Sequence, residues 1–400
     1  MNEFSTFCGY RTHNVLSQNE YLFENILPLL EPEQVLEKSD PTGQYAFTRI
    51  IWSTHAGPAK GGVRISKQKN DAALKALAIR ILLKCSTNKL PHGGAAGEII
   101  LRKENYSVEA LKSIILEFLL MNKENLVSEK DILSPDLGFG ASEIVIAANL
   151  AKSDGEIPIH HINGKPIELG GVAGRKDATG IGAAHVLDRV LEWAPQTISS
   201  RTYSMQGFGH AGQGLATTLD KQNWTCVSLS DSTGTLFSKR GLNIQELISF
   251  KSMGGCFETW NGDGAEFMNH EAQFDVDADL FIPAFNSDEI FETRARLVRC
   301  KLILEIANSP ITEDADRILN DRGIVVIPDL IGNAGGIIAS HLEWYYGAQG
   351  ILPPSEESAI FEVVKSRLDV GIKAMMEMSE QRKISFPDAA NIMSIEGLSV

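Results

Sequence analysis

Three short stretches of the chain set chemically capable side chains among small residues. Gly57-Pro58-Ala59-Lys60-Gly61-Gly62-Val63-Arg64 holds a lysine in a glycine-dense loop, Pro91-His92-Gly93-Gly94-Ala95-Ala96-Gly97 is a second such loop, and Ser134-Pro135-Asp136-Leu137-Gly138 is a third. Between the first two, Lys84 stands at the edge of the apolar face of a helical pattern. A lysine near a core face needs a task or a route to water, and for either lysine alone snorkelling is the plainer reading. The company of the loops favours a site: small residues clear space for a ligand, two ammonium groups suit a substrate with carboxylates, and Asp136 can move protons.

A fourth stretch, Gln206-Gly207-Phe208-Gly209-His210-Ala211-Gly212, carries Gly-x-Gly-x-x-Gly between an expected strand and an expected helix. In that context Gly207 permits the tight turn, Gly209 lets backbone approach a pyrophosphate, and Gly212 lets helix pack on strand. The helix start then offers free N–H groups to phosphate. Asp231, which ends the next strand, lies at the spacing of a carboxylate on an adenosine ribose and favours NAD over NADP. The plainer alternative is that Asp231 caps a turn. His160 and His161 are adjacent rather than spaced for one metal, and His92 and His210 lie in separate loops, so no metal site is expected.

These residues must be held by at least two domains, since 400 residues exceed what one usually needs. Up to about residue 170, helical periodicity dominates, as in Asp71–Lys84 and Val108–Leu120. Pro158–Ile181 reads as a linker or long loop, with a boundary near 175. Short strand-like runs then alternate with helices: Thr202–Met205, Thr225–Leu229, Leu280–Ile282, Leu302–Glu305 and Ile324–Ile327. That alternation implies βαβ units and a mostly parallel sheet, hence an α/β protein. Helical periodicity returns over Ser340–Met393, interrupted at Ile351–Ser355. The expected division is 1–175 plus 340–400 against 176–339.

A net charge of −14 opposes nucleic acid and anionic membrane surfaces as partners. Five scattered cysteines without a Cys-x-x-Cys pair suggest a reduced, cytoplasmic chain. The apolar runs are too short for a membrane span, and the first residues do not read as a signal peptide.

Taken together and in order, the loops resemble the glutamate/leucine/phenylalanine/valine dehydrogenase family, and most its glutamate dehydrogenase branch. The matching stretches begin at Phe7-Cys8-Gly9-Tyr10-Arg11, run through Gly57–Arg64, Lys84–Gly97, Asp131–Gly140, Gly164-Lys165-Pro166, Gly170-Gly171, Gly174-Arg175, Ala178-Thr179-Gly180 and Gln206–Gly212, and end with Glu305–Asn308 and Pro328–Ser340. The resemblance implies a substrate-binding α/β domain joined to a Rossmann-like, doubly wound dinucleotide-binding domain, with the active site in the cleft between them. It also implies a homo-oligomer, most often a hexamer, and oxidative deamination of an amino acid to a 2-oxo acid and ammonia with NAD or NADP. On this pattern Lys84 would hold the substrate α-carboxylate and Asp136 would shuttle protons. Asn333 would contact the amino group, while Lys60 and Ser340 would bind a side-chain carboxylate in a pocket that includes Gly62 and Ser134. Thr179 would orient the carboxamide of the nicotinamide, and Asn308 would contact its ribose. Gly207, Phe208, Gly209, His210, Gly212 and Asp231 would serve the rest of the cofactor. Lysine at position 60 points to a dicarboxylate substrate, although Ser134 stands where alanine is usual.

One departure bears on turnover. The family loop reads Pro-x-Gly-Gly-x-Lys-Gly-Gly, and its catalytic lysine is here Ala96, with Glu98 replacing the second following glycine. Positioned acid–base groups contribute roughly 10² to 10⁴ in rate. Two readings follow: an impaired dehydrogenase, with Lys89 as a possible substitute cation, or a catalytically inactive homologue that binds NAD or an acidic metabolite as a sensor or regulatory subunit.

Overall fold

The computed structural model describes residues 31–103, 106–194, 198–262 and 264–398, so the Phe7–Arg11 match and Cys8 lie outside the described residues. Two compact units emerge from the contacts. One takes the described residues up to Arg175 with Ile337–Ile360 and those from Asn391 on; the other takes Lys176–Gly336 and Phe361–Ala390. The expectation that all of 340–400 belongs to the first unit is therefore corrected for 361–390. That segment is held by second-unit side chains: His185 Nε2 and Arg189 Nε reach Asp369 Oδ1 at 2.7 and 2.9 Å, and Trp193 lies 5.7 Å from Phe386, ring to ring.

The first unit is built on a five-stranded sheet. Its strands are β1 (Gln34–Ser39), β2 (Tyr45–Ile51), β3 (Ala59–Ser66), β4 (Gly93–Leu101) and β5 (Asp131–Pro135), in the order β1-β2-β4-β3-β5. β1, β2 and β4 pair antiparallel, whereas β3 runs parallel to both β4 and β5. Two segments expected as glycine-rich loops are thus largely strands, whereas the third, Ser134–Gly138, leaves β5 after Pro135. The strand glycines serve close approach rather than turning: a β-carbon at Gly61 would run into the Ala95 carbonyl, and one at Gly94 into Ala78 and Leu82 of helix Asp71–Thr87. Side chains alternate across a strand, so on β4 the Gly94 side faces that helix. The other side puts Ile99 into a core with Phe47, Ile115, Phe118, Leu133, Ile144 and Ala148.

The second unit carries a seven-stranded sheet. Its strands are β6 (Thr202–Gln206), β7 (Thr225–Ser230), β8 (Thr235–Phe237), β9 (Glu266–Met268), β10 (Leu280–Pro283), β11 (Leu302–Leu304) and β12 (Val325–Ile327), in the order β12-β11-β10-β6-β7-β8-β9. β12 through β7 are parallel, and β8 and β9 add an antiparallel edge. Chain order reverses at β6, which has β7 on one side and β10 on the other. In open parallel sheets such a switch point opens a crevice beyond the strand ends.

Part of the expected linker is helical. Helix Ala178–Trp193 begins inside Pro158–Ile181 because its small residues are packing surfaces: Gly180 lies against the backbone of Gly214 and Leu215, and Gly182 against Gly335. No helix among the described residues is long and apolar enough to cross a membrane.

Candidate active site

In the first unit, a buried cation sets the register of the strands that carry the candidate residues. Arg49 on β2 donates from Nε and Nη2 to the two carboxylate oxygens of Asp131, at 2.9 and 2.5 Å, and from Nη1 to the Gly62 carbonyl at 3.2 Å. Gly62 pairs with Ser134 across β3 and β5, and Asp136 follows directly on β5. A β-carbon at Gly62 would overlap the Asp136 side chain, so glycine there is what lets Asp136 lie over β3. Asp136 Oδ2 accepts from Arg64 Nε at 2.6 Å, and Oδ1 accepts from the Leu137 N–H at 2.8 Å. Its carboxylate is partly exposed, as a proton carrier must be. Ser134 is buried, and its hydroxyl has no hydrogen-bond partner among the described residues.

Lys60 is 2% exposed and donates to the Ser340 carbonyl at 3.4 Å. Among the described residues no carboxylate pairs with it. Burial, reinforced by the nearby Arg175 guanidinium, lowers the Lys60 ammonium to about 7. The same Ser340 carbonyl accepts from Asn163 Nδ2 at 2.6 Å, and Asn163 also reaches the Ser340 hydroxyl at 3.0 Å. Glu343, one turn further on, is fully buried; it accepts from the Gly164 N–H, from the Lys165 N–H at 3.1 Å and from Lys165 Nζ at 2.7 Å. A buried ammonium that pairs with no carboxylate among the described residues suits a carboxylate ligand. Lys84 is likewise buried, on helix Asp71–Thr87.

Ala96 lies on β4 opposite Ile50 and is fully buried. Strand alternation puts Gly94, Ala96 and Glu98 on one face. Glu98 is 5% exposed, and its Oε2 finds no hydrogen-bond partner among the described residues. Lys89, the conceivable substitute cation, is exposed and held in the left-handed region at φ 51°.

In the second unit the glycine turn follows β6 at the switch point. Gly207 has φ 90° and donates to the Ser230 carbonyl at 3.1 Å, a backbone that favours glycine. Gly212 sits against the Gly207 carbonyl, whereas a β-carbon at Gly209 would meet nothing within 4 Å. Gly209 and His210 are exposed, Phe208 is buried 6.0 Å from Phe257, and helix His210–Lys221 starts without a side-chain cap. Uncapped N–H groups beside open space fit the phosphates of a dinucleotide.

Asp231 does not present itself to a ribose. Its Oδ1 accepts from Thr233 N and Oγ1 at 2.8 and 2.6 Å, and its Oδ2 from Lys251 Nζ and Phe257 N at 2.7 and 3.0 Å. These four bonds fill the acceptor sites of a carboxylate, as in the turn-capping alternative. Burial alone would raise this carboxyl, but the bonds from Lys251, Thr233 and Phe257 hold it below the ordinary value. Asn333 Nδ2 bonds the carbonyls of Ile306 and Ala307 and reaches Asn308 Oδ1 at 3.3 Å, which places these two asparagines together. Thr179 is half-buried beside Gly336.

Sequence reasoning missed several groups that surround these residues. Arg49, Asp131, Asn163 and Glu343 form the polar frame described above, and His92 is buried with its Nε2 2.9 Å from His341 Nδ1. Burial, with the Lys60 charge nearby, keeps the His92 ring well below the ordinary histidine value and hence neutral.

Residues 170–399 match the family described as Glutamate/Leucine/Phenylalanine/Valine dehydrogenase, and residues 32–152 match its dimerisation domain. An NAD-specific glutamate dehydrogenase of Staphylococcus aureus is 32% identical over 351 residues, 85% of this chain and 81% of that protein. The NADP-specific glutamate dehydrogenase A1 of Halobacterium salinarum is 32% identical over 330 residues, covering 80% and 79%. In fold, the chain is similar to the hetero-hexameric glutamate dehydrogenase of Thermus thermophilus in its Leu-bound form, with a TM-score of 0.84 at 24% identity over 96% and 94% of the two chains.

Proposed function

Because the chain belongs to the Glu/Leu/Phe/Val dehydrogenase family, in its glutamate dehydrogenase branch, we propose that it binds a dicarboxylate amino acid or 2-oxo acid and a nicotinamide dinucleotide, and turns them over slowly as an impaired dehydrogenase. The buried Lys60 ammonium, which pairs with no carboxylate among the described residues, carries this reading. It would take the side-chain carboxylate of the substrate with Ser340, while Lys84 would take the α-carboxylate and Asn333 the amino group. Asp136, oriented by Arg64, would hold and release the proton exchanged as ammonia leaves or adds. Gly207–Gly212 would bind the cofactor phosphates, with Thr179 and Asn308 on the nicotinamide side. The bound dinucleotide supplies the hydride acceptor or donor. Both NAD- and NADP-specific relatives exist, and the saturated Asp231 weakens the case for NAD alone.

Ala96 supports low turnover. An ammonium near a developing oxyanion at about 4 Å is worth about 4 kcal/mol at an effective dielectric near 20, and Glu98 puts an acidic side chain where the family loop has glycine. These two positions also favour a second reading, a non-catalytic subunit that senses an acidic metabolite inside a hexamer. The hetero-hexameric assembly from Thermus thermophilus, which holds unlike chains, supports a place for such a subunit.

NADH or NADPH oxidation with 2-oxoglutarate and ammonia distinguishes the two. Weak turnover that Asp136→Asn abolishes favours the enzyme. Binding of 2-oxoglutarate without turnover, in a chain that gains activity as Ala96→Lys, favours the sensor. Failure to bind either 2-oxoglutarate or dinucleotide overturns both.

A further inference from the structure

The short 3₁₀ turn Ile159–His161 of the first unit brings two adjacent histidines beside Glu129, and the metal-binding atoms of the three side chains all lie within 4.8 Å of one another. His161 is fully buried, with its Nδ1 2.5 Å from the Asp131 carbonyl oxygen. A carbonyl only accepts, so Nδ1 carries the proton and Nε2 presents its lone pair. That Nε2 is buried and has no hydrogen-bond partner among the described residues. Leaving a buried acceptor bare costs about 1–3 kcal/mol. Anchoring one ring nitrogen on a backbone carbonyl is how proteins aim the other at a metal ion. Lys165, whose charge reaches His160, is already matched by Glu343 at 2.7 Å.

We propose that Glu129, His160 and His161 bind a divalent transition-metal ion of the zinc type, leaving one position to water. Zinc bonds to nitrogen and oxygen are about 2.0–2.2 Å long, so tetrahedral ligand atoms sit about 3.4 Å apart. The exposed Glu129 side chain closes that difference by a rotamer change, whereas His161 is fixed. Adjacent ligands are unusual, but here the rings lie 4.7 Å apart, centre to centre, at 57° to one another, and Gly347 gives His160 room by lacking a side chain. The ion would tie the residues preceding β5 to the turn at 159–161. The Lys60 charge reaches His161, but these three side chains are assigned no part in the proposed reaction.

The test uses the full chain without an affinity tag, stripped with chelator and titrated with Zn²⁺ or Co²⁺ alone. Calorimetry is expected to give one ion per chain, Co²⁺ an intense tetrahedral visible band, and Zn²⁺ a rise in Tm. Glu129→Gln and His160→Ala replace side chains that are not fully buried, and each is expected to weaken binding about tenfold or more and to remove the Co²⁺ band. Absence of heat and of the band, or binding that both variants leave unchanged, overturns the proposal.

Discussion

Arg49 and Asp131 face each other with no exposed surface on either side chain, joined by two parallel hydrogen bonds. Asn122 Nδ2 also bonds Asp131 at 2.5 Å, and Arg49 donates to β3 as well. The pair therefore holds β3, with Lys60 and Gly62, against β5, which leads to Asp136. Removing one member of a buried pair strands the other charge, at a cost of about 3–5 kcal/mol. Asp131→Ala is expected to lower unfolding stability by that amount in urea denaturation, and a loss below about 1 kcal/mol would contradict the role.

Lys60 sets a pH dependence. Its ammonium titrates near 7 in the fold and near 10.5 unfolded, so the unfolded chain binds more protons between these values and the contribution to stability rises with pH across that window. Lys60→Met is expected to stabilise the chain by about 2–4 kcal/mol at pH 6–7, the gain fading as pH approaches 10. Only the charged form attracts a carboxylate. Affinity for 2-oxoglutarate, measured calorimetrically, is therefore expected to fall about tenfold per pH unit above about 8, a slope that Lys60→Met abolishes.

Ala96 and Glu98 share one face of β4, so their effects should couple. Ala96→Lys is expected to raise 2-oxoglutarate-dependent NADH oxidation by roughly 10² or more, and Ala96→Lys with Glu98→Gly further still. Rates of the two singles and the double give the coupling directly. Equal rates in all four proteins would show that position 96 does not face the reaction.

The first two glycines of the turn after β6 should separate folding from binding. Gly207→Ala must hold a left-handed φ and meet the Ala284 carbonyl, which is expected to cost about 1–3 kcal/mol. Gly209→Ala meets no protein atom, so its Tm should stay near native while NADH affinity, read by fluorescence titration, drops. Unchanged affinity in Gly209→Ala would remove this turn from the cofactor site.

Runs such as Thr225–Ser230 and Leu280–Pro283 are legible as strands because apolar and β-branched residues are bounded by turn formers. β3 and β4 are not, since the glycines that let strand and helix backbones approach also resemble loop punctuation. Lys60 and Asp136 stand out in sequence because charge beside glycines is conspicuous, and Lys84 because it edges an apolar helical face. Their frame does not: Arg49 meets Asp131 across 82 positions, Lys165 meets Glu343 across 178, and His92 meets His341 across 249. Spacing also points to Asp231, but it cannot reveal that Lys251 and Thr233 occupy its oxygens. For His160 and His161 the third group is Glu129, on a segment that periodicity does not link to them.

The division of the chain also bears on the order of events during synthesis. Ser86, near the end of a helix in the first unit, donates its hydroxyl hydrogen to the Ser394 carbonyl at 2.5 Å, across 308 positions. Domains generally fold as they leave the ribosome, earliest first. Here the sheet bearing Lys60 and Asp136 emerges first, but its unit is completed only by residues 337–360 and 391 onward, after most of the second unit has been made. The later-encoded unit can close before the earlier one, and the contact of Lys60 with Ser340 is among the last parts of the nascent protein to mature.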